Sequence, residues 1–423
     1  MAEKDVASVN QNLGQFINTT PKGYSMLDLE RRGQFMADLG RELRTRITEP
    51  MPRKAAPTYS VAELAEICQL DRQRIKYLCN KESSTLPKGR IVGRAREFTL
   101  AEVLEWVKEV PSFSLPANWQ TPTIVSANFK GGSTKSTTAM CLAQGLTLRG
   151  RRVLLVDLDP QGTLTELCGF YADAEVSEEH TVAPFLASFA DEEPLPDLRY
   201  AVRNTYWKNI DLIPASTELF GAEFNYTAII RKRPDQAIWA LLSLGLEPLK
   251  QDYDYVIIDT PPSLSYTTVN ALMAADAVLM PLVPDSLDFL SSLQFWKLFG
   301  DLNGVLSQDV KAKGKTYDLI NVLLSKVDYT SPSTGLIRQW SQQAYGDWLL
   351  TTEVPRSSAV ANSAMRVNTV YDMTKSQDDS SKKTIDRVRV PLNLVCAYID
   401  EFYRTKFFLM NQNSEAGKVA EEV

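Results

Sequence analysis

The fold turns on one stretch: Thr123-Ile124-Val125-Ser126-Ala127-Asn128-Phe129-Lys130-Gly131-Gly132-Ser133-Thr134-Lys135-Ser136-Thr137-Thr138, with a helical pattern running on to Leu148. A short apolar run, a Gly-containing loop, a Lys-Ser pair and a helix come in the order of a phosphate cradle. In such a cradle successive backbone N–H groups and the helix N-terminus point at the anion. Lys135 is then placed to neutralise phosphate oxygens, and the Ser136 hydroxyl to ligate Mg²⁺. The usual spacing of two glycines ahead of the lysine is not met, because those positions hold Phe129 and Thr134. Taken alone, the loop is equally a Gly-Gly turn before a helix.

Two later segments weigh towards a nucleotide. Val156-Asp157-Leu158-Asp159-Pro160-Gln161-Gly162 closes a second apolar run, and the two-residue period puts Asp157 and Asp159 on the same side of it. Tyr255-Val256-Ile257-Ile258-Asp259-Thr260-Pro261-Pro262 ends a third run in one carboxylate. That is the position of an aspartate holding the Mg²⁺ hydration shell. Either run could end in a carboxylate that only caps a turn. Three strand ends in this order, where open α/β sheets bind ligands, argue otherwise.

The surroundings agree. Apolar runs at Thr123–Ala127, Val153–Val156, Ile210–Ile213, Tyr255–Ile258, Ala277–Val283 and Leu319–Leu324 alternate with helical stretches. Continuous β-branched runs separated by helices signal a mostly parallel sheet buried on both faces. The α/β domain is expected over residues 120–410, with a last helix at about Leu392 to Leu409 and a disordered polar tail over 411–423.

A chain of 423 residues suggests two or three domains at about 150 residues each. With 44% hydrophobic and 23% charged residues, it has ample material for a core. No apolar run reaches the roughly 18 residues of a membrane span, and the N-terminus lacks the pattern of a secretory signal; a cytoplasmic protein is expected. Five scattered cysteines without a CxxC pair, and a single histidine, His180, exclude a disulfide scaffold, make a zinc site a poor reading and leave a Ser-His-Asp triad unsupported. The net charge of −6 hides an asymmetry: residues 1–116 carry 18 basic and 15 acidic side chains, a surplus of three positive charges. The excess acid lies in the remainder, which leaves room for a local DNA-reading surface in the first quarter.

That quarter has two parts. Residues 23–47 read as an amphipathic helix carrying Leu27, Leu29, Phe35, Met36, Leu39 and Leu43. Its stripe needs a partner, either its own chain or a second copy, and residues 1–48 are assigned to a dimerisation helix. After a linker with Pro50, Pro52 and Pro57, a unit spans 58–110. Ser60 with Glu63 forms a capping box for a first helix, and Asp71 can cap a second, Arg72 to Asn80. Two short helices joined by a tight turn are a helix-turn-helix. Arg72, Arg74 and Lys76 stand where a recognition helix meets DNA, and Arg90, Arg94 and Arg96 lie on a basic wing. A small helical domain with a solvated basic face is the alternative. Pro111 to Thr123 reads as a second linker.

In combination, Lys130-Gly131-Gly132-x-x-Lys135-Ser136-Thr137, Asp157-Leu158-Asp159-Pro160-Gln161-Gly162 and Asp259-Thr260-Pro261-Pro262 resemble the deviant Walker motifs of the ParA/MinD ATPases. Val354-Pro355-Arg356 is similar to the family's later Pro-Arg segment beside the nucleotide base. The resemblance covers roughly residues 120–405. With the helix-turn-helix ahead of it, the chain looks like a large plasmid-partition ParA. It implies an α/β P-loop ATPase with ATP/ADP and Mg²⁺ as cofactors. It further implies an ATP sandwich homodimer, a ParB-type centromere-binding partner, operator and nonspecific DNA, slow partner-stimulated hydrolysis, repression of its own operon and a nucleoid-associated location.

By matching position, Lys130 is the signature lysine reaching the partner subunit's phosphates, and Lys135 the loop lysine. Gly131, Gly132, Ser133 and Thr134 complete the loop; Ser136 ligates Mg²⁺ and Thr137 contacts the α-phosphate. Asp159 orients the attacking water, Asp157 supports the metal, and Asp259 is the Walker B carboxylate. Pro355 and Arg356 flank the base. Thr134 replaces a glycine of most relatives, and its Cβ is expected to narrow the approach to the phosphates. Nonspecific DNA contacts are assigned to Lys382, Lys383, Arg387 and Arg389, read as a charged loop before the final helix, with Arg231-Lys232-Arg233 as the other candidate. A MinD-like membrane cycler would want a basic amphipathic end, which Ser414 to Val423 does not provide. A nitrogenase-reductase-like carrier would need cluster cysteines in other places. The competitor from another class is a non-enzymatic repressor whose nucleotide fold only senses ligand; such a sensor has no need of Asp159.

Overall fold

Period-two burial on both faces builds the centre of the molecule. The computed structural model describes residues 23–48, 54–190, 194–306, 315–357, 367–373 and 381–421. They divide into two units, residues 1–53 and 54–423. In the first, α1 (Met26–Thr48) forms where the stripe predicts a helix. Ser25 donates its backbone N–H and hydroxyl to Asp28 Oδ2 at 2.9 and 2.6 Å, closing the first turn. Leu27, Leu29, Phe35 and Met36 are all more than half exposed.

The second unit opens with β1 (Tyr59–Ser60), α2 (Val61–Ile67) and α3 (Arg72–Asn80). Both predicted caps are present. Ser60 and Glu63 close the capping box, and Asp71 Oδ1 accepts from the Gln73 N–H at 2.6 Å. Caps of this kind contribute about 1 kcal/mol each. Strands β2 (Arg90–Val92) and β3 (Ala95–Phe98) form the antiparallel hairpin, with β1 on the far side of β3. Helix α4 (Leu100–Lys108) starts at a second capping box, Thr99 with Glu102, that sequence reasoning does not single out. Leu64, Ile75, Phe98 and Trp106 fill the interior.

This winged segment does not stand apart. Its interior is continuous with one side of the large sheet through Phe113, Leu142 and Leu146, so 58–110 and 120–410 belong to one unit. The second linker is packed as well. Phe113 is buried and its carbonyl accepts from Arg151 Nη1 at 2.6 Å, while Trp119 Nε1 donates to the Asp254 carbonyl at 3.1 Å.

The sheet has seven strands: β4 (Thr123–Ser126), β5 (Val153–Asp157), β6 (Arg203–Asn204), β7 (Ile210–Ile213), β8 (Tyr255–Asp259), β9 (Ala277–Leu282) and β10 (Leu319–Leu324). Their order is β10-β9-β4-β8-β5-β7-β6, parallel throughout except for the β6–β7 edge. Val153 and Leu155 enter one hydrophobic layer, Leu154 and Val156 the other. Each such fully buried side chain contributes roughly 1.5–3 kcal/mol. The helices around the sheet include α5 (Lys135–Thr147), α6 (Thr163–Leu167), α7 (Ala222–Lys232), α8 (Tyr266–Ala274), α9 (Ser286–Leu306), α10 (Pro332–Tyr345) and α11 (Lys382–Glu421). Helices α5 and α11 approach closely at Gly145, where a Cβ would collide with Cys396 Sγ.

Helix α11 starts ten residues before the expected Leu392 and runs through the segment expected as a disordered tail, to Glu421. The reason lies in its first turns. Ile385 and Val388 are buried and continue the stripe Leu392, Val395, Ile399. The surrounding cations conceal that helical spacing in the sequence.

Candidate functional site

Strands β4, β8 and β5 end side by side. Ser126 is in register with Asp259, and Asp259 with Asp157. The loop that leaves β4 is fastened by its own residues. Asn128 donates from Nδ2 to the Pro281 carbonyl at 2.9 Å and accepts the Lys130 N–H on Oδ1 at 3.1 Å. The Phe129 ring packs edge-on to Phe295, with centroids 4.7 Å apart. Gly132 and Thr134 both have left-handed backbones, φ 79° and 73°. Glycine tolerates that; a β-branched residue is strained there by about 1–3 kcal/mol. The Thr134 hydroxyl meets Thr138 Oγ1 at 3.4 Å. The missing glycine therefore appears as backbone strain at the helix entrance.

Lys135 opens α5 with only 6% of its surface exposed. Its Nζ donates to the Lys130 carbonyl at 3.3 Å, and Ser126 Oγ donates to the Lys135 carbonyl at 3.1 Å. Burial pulls the ammonium's pKa down, while Asp259 and Asp159 act to hold it up.

The three carboxylates are not equivalent. Asp157 is fully buried and satisfied: Oδ1 accepts from the Asp159 N–H at 3.1 Å, and Oδ2 from the Thr165 N–H and hydroxyl at 2.9 and 2.7 Å. Burial and then Asp259 push its pKa up, against the Thr165 hydrogen bonds. Asp159 Oδ1 accepts from the Gln161 N–H at 3.0 Å. Burial raises its carboxyl as well, against that bond and Lys135. Asp259 is fully buried, yet neither of its oxygens has a hydrogen-bond partner. Burial pushes it up to about 7, helped by Asp159, while the neighbouring Ser136 hydroxyl, the Lys135 ammonium and the Thr260 N–H work against that rise.

An orphaned buried carboxylate next to a serine hydroxyl and a lysine is a poor structural element and a good half-site. Mg²⁺ keeps several waters and binds through one or two carboxylates plus substrate phosphates. Asp259 and Ser136 fit that donor set. Among the described residues no three His, Cys, Asp or Glu converge into an all-protein metal cage. Asp157, expected to support the metal, has its oxygens taken by protein donors; it holds Asp159 and the start of α6 in place.

Of the remaining loop residues, Gly131 is exposed, Ser133 is buried with an unpartnered hydroxyl, and Thr137 is half-buried in the first turn of α5. Pro355 bridges to Val327, and the Arg356 N–H donates to the Val327 carbonyl at 2.9 Å. The Arg356 guanidinium is exposed, 3.7 Å from Asp328. Three residues escape sequence reasoning. Thr165 satisfies Asp157. Lys326, itself left-handed, donates to the Gly132 carbonyl at 3.0 Å. Asp288, in the first turn of α9, keeps an unpartnered Oδ1 while Lys130 and Lys326 act on its charge. Only Thr165 lies near its motif in sequence; the other two join through the fold and leave no local signal.

The proposed DNA residues divide. Arg72, Arg74 and Lys76 project into solvent from α3, with Ile75 and Cys79 anchoring its other face. Arg90 and Arg94 are exposed on the hairpin. Arg96 instead turns back, donating to the Lys88 carbonyl and, at 3.5 Å, to Asn80 Oδ1. Lys382, Lys383, Arg387 and Arg389, expected on a loop, lie in the first turns of α11. Lys383 and Arg387 are exposed, and Lys382 stands 3.9 Å from Asp386. Arg389 points inward, donating from Nη2 to the Val370 and Met373 carbonyls at 2.9 and 2.8 Å. Helical spacing separates it from Arg387, so the two cannot act as one patch.

Comparison with known proteins agrees with this geometry. A family profile described as an AAA domain matches residues 121–312. Protein SopA of Escherichia coli (strain K12) is 29% identical over 346 residues, 78% of this chain and 85% of SopA. The chromosome partitioning protein ParA of Myxococcus xanthus (strain DK1622) is 36% identical over 159 residues, 38% of this chain and 51% of that protein. A solved structure titled Partition Protein superposes with a TM-score of 0.61 at 18% identity, covering 89% of this chain and 99% of that one; at that identity the likeness is one of fold.

Proposed function

We infer, from the premise that this chain belongs to the ParA-type partition ATPase family, that it hydrolyses ATP to ADP and phosphate to drive the segregation of a plasmid or chromosome. One observation carries the reading: the buried, unpartnered Asp259 carboxylate beside Ser136 and Lys135 at the end of a parallel sheet. Ser136 and Asp259 would hold Mg²⁺, directly or through water, and the ion would supply charge neutralisation at the phosphates. Lys135 and the backbone N–H groups of Gly131 to Ser136 neutralise the phosphates, and Thr137 lies next in the helix for the α-phosphate. Pro355 and Arg356 flank the base. Asp159, held by Asp157 and the Gln161 N–H, orients the attacking water, and Lys130 completes the site of a second subunit in an ATP sandwich dimer.

The slow, partner-stimulated cycle suits a switch in which phosphate holds the dimer until a ParB-type protein triggers release. Operator DNA is read by Arg72, Arg74 and Lys76 with the wing residues Arg90 and Arg94, which gives autorepression. Nonspecific DNA is held through phosphate contacts by Lys382, Lys383 and Arg387. Such a protein works in the cytoplasm on the nucleoid; no described helix is long and apolar enough to cross a membrane. The test separates binding from chemistry. Lys135→Ala should abolish ATP binding, whereas Asp159→Ala should retain ATP and accumulate the dimer. Equal loss of nucleotide binding in both variants overturns this division of roles.

A further inference from the structure

The middle of the phosphate loop needs holding from outside. Before it, Asn128 Oδ1 accepts the Lys130 N–H at 3.1 Å; after it, Ser126 Oγ donates to the Lys135 carbonyl at 3.1 Å. Between these ties stand Gly131 and Gly132, in open space where even an added Cβ would meet nothing within 4 Å. Glycine passes between left- and right-handed backbone at little cost, so the peptide joining Gly132 to Ser133 can turn over easily. Its orientation matters chemically. In a planar trans peptide the C=O and the following N–H point in opposite directions. Turned one way, the peptide offers an anion the Ser133 N–H; turned the other, it offers a carbonyl oxygen that repels it.

The Gly132 carbonyl is held by a residue remote in sequence: Lys326 Nζ donates to it at 3.0 Å across 194 residues. Lys326 follows β10 directly and is built as a fixed arm. The Ser325 N–H donates to the Leu282 carbonyl at 2.8 Å, and the Val327 N–H to the Val354 carbonyl at 3.0 Å. Between these two clamps Lys326 keeps a left-handed backbone, φ 53°, a conformation uncommon for a residue with a side chain and concentrated at functional sites. Asp288, in the first turn of α9, is close enough for the Lys326 charge to act on it. We propose that Lys326 is a positioning residue for ATP: its hydrogen bond fixes the Gly132–Ser133 peptide so that the Ser133 N–H, opposite the held carbonyl, is turned onto the phosphates. The inference rests on the nucleotide reading above and adds to it a residue that acts through the loop backbone.

The full-length parent, Lys326→Met and Lys326→Arg are titrated with methylanthraniloyl-ATP in the presence of Mg²⁺ and assayed for hydrolysis. Methionine keeps an unbranched stem but removes the donor; arginine keeps a donor. Lys326→Met should weaken binding of the analogue about tenfold and raise KM by a similar factor, with kcat lowered less than about twofold. Lys326→Arg should recover most of the loss. Because the effect runs through a hydrogen bond, it should persist at about 0.5 M KCl, where a cation that merely attracts the nucleotide is screened. Lys326 is exposed, and such surface interactions add little to folding, so thermal midpoints of the three proteins should agree. The inference is overturned if Lys326→Met binds as the parent does, if arginine recovers nothing, or if the loss disappears in salt. A parent that binds no ATP analogue overturns the nucleotide reading itself, and this inference with it.

Discussion

Replacing Asp259 with asparagine should stabilise the nucleotide-free protein while disabling its use of Mg²⁺. The carboxylate is fully buried with both oxygens unpaired, and burial pushes its pKa up to about 7. A carboxyl raised in the folded state binds its proton more tightly there than in the unfolded chain, where it titrates near about 3.9. Its penalty is therefore absent below about pH 4, grows as the pH rises, and is complete above about pH 7. At about 1.4 kcal/mol per pH unit of separation, the ceiling is about 4 kcal/mol at pH 8 and about 3 kcal/mol at pH 6. Asparagine is itself buried and polar, so a gain of about 1–3 kcal/mol at pH 8 is the realistic expectation. Urea denaturation followed by tryptophan fluorescence, from pH 5.5 to 8.5 without nucleotide, measures it directly. The parent should lose stability across that range by about 2 kcal/mol more than Asp259→Asn does. With ATP present, added Mg²⁺ should tighten binding to the parent and leave the variant's affinity nearly unchanged. A variant no more stable than the parent at pH 8, or one keeping the parent's pH slope, would refute the orphaned-carboxylate argument.

Thr134→Gly removes a strained left-handed threonine; relief of strain and the freer unfolded chain nearly cancel in stability, so the readout is ATP affinity by filter binding, which should rise severalfold, and unchanged affinity would clear Thr134 of any cost. An Arg72/Arg74/Lys76 triple alanine variant should lose operator footprinting, each lost base contact costing on the order of 1–3 kcal/mol, while its ATPase activity persists; an intact footprint means that α3 is not the reading helix. Removing residues 1–48 should leave a monomer in sedimentation without ATP, because the exposed stripe of Leu27, Leu29, Phe35 and Met36 is the proposed nucleotide-independent contact; an undiminished dimer removes that role.

What the sequence makes legible is local. Period two in Val153 to Val156 and the carboxylates closing β5 and β8 need only neighbouring residues to be read, and so do the caps at Ser60 and Asp71. The winged segment is not independent, contrary to the sequence expectation, because its burial is long-range: Leu64, Phe98 and Trp106 share one core with Leu142 and Leu146, and the linker after it is tied down where Phe113 accepts from Arg151, itself paired with Asp400 at 2.7 Å. Those contacts join segments that are distant in the chain. The first turns of α11 are hidden for a different reason. Four cations around Ile385 and Val388 look like a solvated loop until the stripe is extended backwards from Leu392. Once it is, the helix fixes which cations face water, and Arg389 drops out of the DNA surface by geometry alone.

Geometry also separates the aspartates, Asp157 and Asp259, both of which the motifs assign to the metal. Each closes an apolar strand at the carboxyl edge of one sheet, and they are in register. The difference arises from the residues that succeed each strand. After Asp157 the chain turns through Gly162, at φ 63°, into α6 and brings the Thr165 N–H and hydroxyl back onto the carboxylate. After Asp259 comes Thr260, whose hydroxyl is taken by the Ser126 carbonyl at 2.9 Å, and then Pro261 and Pro262, which have no N–H to offer. Beyond Asp259 the chain offers only the Thr260 N–H, which together with the Ser136 hydroxyl eases the carboxylate without meeting hydrogen-bond geometry. A fully buried carboxylate so weakly satisfied destabilises the empty protein above its raised pKa and is relieved when a proton or a cation arrives. The Pro-Pro pair after the third strand is in this sense part of the metal site: it keeps local donors away from Asp259, so that stability without ligand is exchanged for affinity with it.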